Sequence, residues 1–103
     1  MMEITIRGRH ADITPTFKEH AIAQVGQVDR FGINIAVLDV EVTHEANKRQ
    51  TKEGFKVDLT AKGAGTLIRA SAKAAQMTAA LDAAVKKLEL QLRKISERKQ
   101  NHR

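Results

Sequence analysis

The chain has 103 residues, 42% of them hydrophobic and 29% charged, which suits one globular domain with one core and leaves no room for a second. It contains no Cys, so disulfides, thiolate zinc sites, iron–sulfur clusters and cysteine nucleophiles are excluded together. The formal charge is +6, and it is concentrated: residues 86–103 hold seven Lys or Arg against two Glu, while residues 1–85 are nearly balanced.

Glu3, Ile4, Thr5, Ile6 and Arg7 alternate polar with apolar, which predicts a half-buried strand with Ile4 and Ile6 inward. Gly8 allows a bend. A helix then starts at Thr14, with Pro15 at its first position, or at Thr16, with Glu19 completing a capping box. Phe17, Ala21, Val25 and Val28 share its core face, Gly26 points to close packing, and Gly32 ends it. Residues 35–43 predict a second strand in which Leu38, Val40 and Val42 alternate with Asp39, Glu41 and Thr43. Residues 44–54 make a polar loop carrying Lys48, Arg49 and Lys52. Phe55, Val57, Leu59 and Ala61 alternate with Lys56, Asp58, Thr60 and Lys62 as a third strand, and residues 63–65 (GAG) turn the chain back. Ile68, Ala70 and Ala72 alternate with Arg69, Ser71 and Lys73 as a fourth. The three clean alternations predict a sheet with one covered face and one wet face, as expected for antiparallel pairing.

The last helix runs from Gln76 to Ser96 or beyond, with Met77, Leu81, Ala84, Val85, Leu88, Leu92 and Ile95 on one side. The order is βαβββα. The fold class is therefore α+β, a two-layer sandwich with both helices on one face of a four-stranded sheet.

At about 100° per residue, Lys87, Lys94 and Arg98 lie along one flank of the last helix's apolar stripe. Asp82 and Glu89 lie along the other flank, and Lys86 and Arg93 sit nearer the outer face. The row from Lys87 to Arg98 spans about 16 Å, enough for roughly two or three consecutive phosphates. Such a face can be a solvated one, steadied by pairs such as Glu89 with Lys86 or Arg93. The concentration of charge on a single rigid element sets a polyanionic partner beside that reading on equal terms.

No catalytic or metal constellation emerges. His10, His20, His44 and His102 form no ligand spacing. The glycines at 63–65 lack the phosphate-loop pattern. Asp39, Glu41 and Asp58 read as partners of Lys56 and Lys62 on the wet face. Phe17, Phe31 and Phe55 read as core, leaving no aromatic platform for unstacked bases. No run reaches the ~20 apolar residues of a membrane span, and the opening residues lack a signal peptide's apolar core. A cytoplasmic binding protein is expected, not an enzyme, with no cofactor, metal, small-molecule substrate or membrane partner.

Ile4-Thr5-Ile6-Arg7-Gly8-Arg9 followed by Ile13-Thr14-Pro15, then Ile68-x-Ala70-x-Ala72, Met77-x-Ala79-Ala80-Leu81-Asp82 and Lys87-Leu88-x-x-Gln91-Leu92-x-Lys94, occur in order along the chain. With these segments the chain resembles the ribosome hibernation-promoting factor family, also described as ribosome-associated inhibitors or sigma-54 modulation proteins. The likeness covers residues 2–99.

The resemblance implies a double-stranded-RNA-binding-like fold; residues 1–99 read as the ribosome-binding domain and 100–103 as a disordered basic tail. It implies binding of the small ribosomal subunit and its rRNA across the decoding channel. There the family excludes tRNA and messenger, silences translation under stress, and in some members promotes ribosome dimers. Lys87, Arg93 and Lys94 match the family's basic helix positions, with Lys86, Arg98 and Arg30 as neighbouring candidates. Gln24 and Gln27 stand where the family usually carries lysines, and Gln76 and Thr78 stand where it often carries an acid and a tyrosine. Two forms fit: a short dimer-promoting type, or the N-terminal domain of a longer protein with a C-terminal dimerisation domain. The other readings are a general duplex-RNA-binding or ribosome-assembly factor of the same fold, and a protein-interaction module using the open sheet face.

Overall fold

A computed structural model describes residues 2–31, 33–45, 54–63 and 66–101. Strand β1 (Glu3–Arg9) leads to helix α1 (Pro15–Gly26) and a 3-10 segment (Gln27–Phe31). Then come β2 (Val37–His44), β3 (Phe55–Gly63), β4 (Thr66–Ala74) and helix α2 (Met77–Asn101). The order is the expected βαβββα, and the four strands lie in one sheet in sequence order. β2, β3 and β4 pair antiparallel. β1 runs parallel to β2, so the chain between them must cross over, and α1 is that crossover.

The pairing register puts the apolar residues on one face. Ile4 and Ile6 stand opposite Leu38 and Val40, these oppose Ala61 and Leu59, and those oppose Ile68 and Ala70. Against this face lie Phe17, Ala21 and Val25 of α1 and Leu81, Ala84, Val85, Leu88 and Leu92 of α2, all buried in one cluster. The other face carries Thr5, Arg7, Asp39, Glu41, Lys56, Asp58, Thr60, Arg69 and Ser71, none of them fully buried. All three Phe belong to the core side: Phe17 is buried, and Phe31 and Phe55 are half-buried against the cluster. No helix among the described residues is long and apolar enough to cross a membrane.

Local details settle choices that residue patterns leave open. Thr14 is the α1 cap: its hydroxyl accepts the Phe17 N–H at 3.1 Å, with Pro15 leading the helix. The alternative start at Thr16 is not used. The α-helix stops at Gly26 and tightens into 3-10 geometry, with Gln27 N–H donating to the Gln24 and Val25 carbonyls. Gly32, read as the helix stop, lies outside the described residues. Gly26 is not a close-packing point either, since a Cβ there would find nothing within 4 Å.

Gly8 does not end β1, which continues to Arg9. A Cβ at Gly8 would sit 2.3 Å from the Ala11 carbonyl oxygen, so the returning chain requires glycine there. His10 then takes a left-handed conformation (φ 58°) to make that return. β2 begins at Val37 rather than residue 35, while Ile33 and Ile35 are buried in the segment leading to it. α2 runs on to Asn101, two residues into the segment read as a tail. The loop cations Lys48, Arg49 and Lys52, the turn residues 64–65 and His102 lie outside the described residues.

Candidate nucleic-acid interface

Helix α2 is anchored by its apolar stripe, which fixes where its flanks point. Leu81, Leu88 and Leu92 are fully buried over β3 and β4, with Met77 and Ile95 half-buried at either end. The flank carrying Lys87, Lys94 and Arg98 overhangs the open edge of β4. Two hydrogen bonds mark it: Lys87 Nζ donates to the Ser71 carbonyl at 3.1 Å, and Gln91 Nε2 donates to the Arg69 carbonyl at 2.7 Å. Lys87, Lys94 and Arg98 are exposed.

The opposite flank faces α1 and the 3-10 segment. His20 Nε2 lies 2.9 Å from Asp82 Oδ1, and Arg30 donates to Glu89 at 2.9 Å. It is thus the acidic edge of α2 that borders the first helix, while the basic edge borders β4. Arg30 also stacks against its neighbour, 5.0 Å from the Phe31 ring centroid. Gln24, Gln27 and the half-buried His20 occupy this side of α1 in place of a lysine row.

The six cations singled out in the sequence therefore do not form one patch. Lys87, Lys94 and Arg98 make a row beside β4. Lys86 and Arg93 line a shallow groove of about 210 Å³ with Glu89 and the exposed Leu90, on the flank that Arg30 reaches. On that flank Glu89 pairs with Arg30 and not with Lys86 or Arg93, as helix spacing alone suggests. The reason is tertiary: the Glu89 side chain is only 18% exposed, and the Arg30 guanidinium arriving from the 3-10 segment reaches its carboxylate at 2.9 Å. Gln91, named only within the family motif, is also a member of the β4-side flank. Its signal was its place four residues after Lys87 on the same flank.

The wet sheet face is an ion-pair lattice, as the alternation of signs suggests. Lys62 lies 3.5 Å from Asp39 across β2 and β3, Arg7 lies 3.7 Å from Glu41 across β1 and β2, and Lys56 lies 3.9 Å from Asp58. The Thr5 hydroxyl donates to Asp39, and this bond above all holds the Asp39 carboxyl below its ordinary range, against the opposing effect of burial. The Lys62 and Arg7 charges add to it. Within each of these pairs the charges cancel. His44 stacks on Phe55 with centroids 4.7 Å apart. Among the described residues no three potential ligands gather as a metal site. Among the described residues, the α2 flank of Lys87, Lys94 and Arg98 is a row of one sign, and what such a row can do chemically is neutralise phosphates.

The chain is 38% identical over 100 residues to a ribosome hibernation promotion factor of Mycobacterium tuberculosis, covering 97% of this chain and 46% of that protein. It is 30% identical over 93 residues to a ribosome hibernation promotion factor of Bacillus subtilis, covering 90% and 48%. The chain thus spans about half the length of these curated relatives. Among solved structures it is similar to a ribosomal subunit interface protein from Coxiella burnetii, with a TM-score of 0.79 and 27% identity over 93% of this chain and 99% of that one. The Thermus thermophilus Protein Y N-terminal domain shares the fold, with a TM-score of 0.76 at 23% identity over 92% of this chain and 99% of that one. Residues 4–100 match the Sigma 54 modulation protein / S30EA ribosomal protein family, and the chain belongs to that family.

Proposed function

We propose that this chain is a ribosome hibernation domain. It binds the small ribosomal subunit through rRNA phosphates and occupies the channel used by tRNA and messenger. It silences translation by occlusion, so the mechanism requires no reaction, metal or cofactor. The observation that carries this reading is the exposed row of Lys87, Lys94 and Arg98 along one flank of α2, in a chain similar to ribosome hibernation promotion factors. Lys86, Arg93 and Arg30 form a second set of phosphate ligands on the other flank, with Glu89 partly neutralising it. The place of action is then the cytoplasm.

The basic rows act by counterion release and by steering, both of which favour a polyanion without reading its bases. Specificity must come from the shape of the cavity that α2 and the sheet fill, since the three Phe are committed to the core side.

Co-sedimentation with purified ribosomes, with and without added tRNA, tests the reading. The expected result is one site per small subunit, emptied by saturating tRNA. Retention indifferent to tRNA, with many copies bound per particle, would favour the general duplex-RNA binder. The same gradient reads whether particles pair.

A further inference from the structure

We propose that Lys87 and Gln91 hold the β4 edge closed against pairing with a second copy of this chain. The inference is independent of the ribosome reading, because it rests on the sheet. β1 and β4 are the edges of the four-stranded sheet. β4 is nine residues long, and alternate residues on an edge strand turn unpaired N–H and C=O groups outward. Such a row is a template for another strand unless something covers it.

On β4 the cover comes from α2. The Arg69 and Ser71 carbonyls, two residues apart at the middle of the strand, accept from Gln91 and Lys87. The match is one of pitch. Four residues of helix rise about 6 Å and two residues of strand advance about 6.8 Å, so one helix flank can serve successive outward carbonyls.

The strand beneath is self-complementary. In an antiparallel pairing of two β4 strands centred on Ala70, Arg69 of one copy stands opposite Ser71 of the other, and Leu67 stands opposite Lys73. Ile68 faces Ala72 and Ala70 faces its own copy, all three buried now on the covered face, so the apolar layer would run on across the seam. No like charges meet in that register. Centring on Arg69 or Ser71 instead would set Arg69 against Arg69 or against Lys73. The contact is isologous and closes as a two-fold dimer with one continuous sheet. It would also bring the Lys87, Lys94 and Arg98 flanks of the two α2 helices toward each other. That repulsion is a second reason the edge stays unpaired. The flank that carries these cations would thus also keep the domain single.

The test is the double variant Lys87→Met with Gln91→Leu, followed by analytical ultracentrifugation over a concentration series. The unaltered 11.4 kDa chain is expected to sediment as a monomer. The double variant's average mass should rise toward twice that value with concentration, and its Arg69 and Ser71 amides should exchange more slowly with solvent in the associated state. Adding Ser71→Lys, which sets like charges opposite each other twice in the Ala70-centred register, should weaken that association about tenfold. Circular dichroism checks folding. Gln91→Glu, which alters one exposed side chain and repels the Arg69 carbonyl, carries the same test with a smaller change. Folded variants that stay monomeric at every concentration would overturn the proposal, as would a dimer indifferent to Ser71→Lys.

Discussion

The Arg30 guanidinium meets the Glu89 carboxylate at 2.9 Å and so ties the 3-10 segment to the flank of α2. The pair joins residues 59 positions apart in sequence and bridges two helical segments of the layer that covers the sheet. Arg30 is 55% exposed, so solvent screens much of its attraction. A double-mutant cycle of Arg30→Gln and Glu89→Gln, read by urea denaturation, should give a coupling of about 0.5–1 kcal/mol. Glu89→Gln alone should strengthen RNA binding at low salt, because it unmasks Arg30 and lifts the one acidic charge between Lys86 and Arg93.

The cations beside β4 are not equivalent. Lys94 and Arg98 are exposed, with no side-chain bond to the rest of the fold among the described residues. Each changed to Gln should shift stability by less than about 0.5 kcal/mol in thermal denaturation. Lys87→Gln also removes the bond to the Ser71 carbonyl and should cost about 1 kcal/mol. Equal losses at all three positions would mean that the Lys87 bond contributes nothing in solution.

Gly26 sits at the end of α1 with helical neighbours and open space where a side chain would go. Gly26→Ala should stabilise the fold by about 0.5–1 kcal/mol, raising the denaturant midpoint with the slope unchanged. The gain arises in the unfolded chain, whose freedom alanine reduces, and needs no new contact.

Asp39 gives the fold an acid-sensitive bond. The Thr5 hydroxyl, with Lys62 3.5 Å away, lowers its carboxyl below the unfolded value of about 3.9. A carboxyl lowered in the folded state stabilises above the unfolded pKa, and the contribution fades as pH falls through the folded one. Stability measured between pH 7 and pH 2 should therefore drop below about pH 4 in the wild type. In Asp39→Asn it should start lower at neutral pH and fall less steeply. Identical pH profiles for the two proteins would show that the Thr5–Asp39 bond does not persist in solution.

The sheet was legible in the sequence because alternation is strict where one face is buried. Leu38, Val40 and Val42, and Val57, Leu59 and Ala61, repeat every second residue, and a slip of one would turn all of them to water. α2 was legible for the matching reason, a stripe from Met77 to Ile95 at helical spacing. What no single element announces is how two elements meet. The flank assignments of Lys87 and Glu89 follow from helical geometry, but which flank borders α1 depends on where α2 lies across the sheet. The same applies to Arg30, whose partner is 59 residues away. Gly26 was misjudged because a helical glycine marks close packing only when something packs there, and at this helix end nothing does. The parallel β1–β2 pairing likewise shows in no local pattern of Ile4 and Ile6 and arises from the α1 crossover.

The central claim is that the Lys87 flank of α2 meets ribosomal phosphates, and the salt dependence of ribosome binding tests it most directly. Affinity for purified ribosomes should fall steeply and linearly on a logarithmic salt axis. Replacing Lys94 and Arg98 by Gln should make that slope shallower by about 1.5–2, as expected for two lost phosphate contacts. A wild-type slope near zero, or a slope unchanged by the two substitutions in a folded variant, would contradict the account.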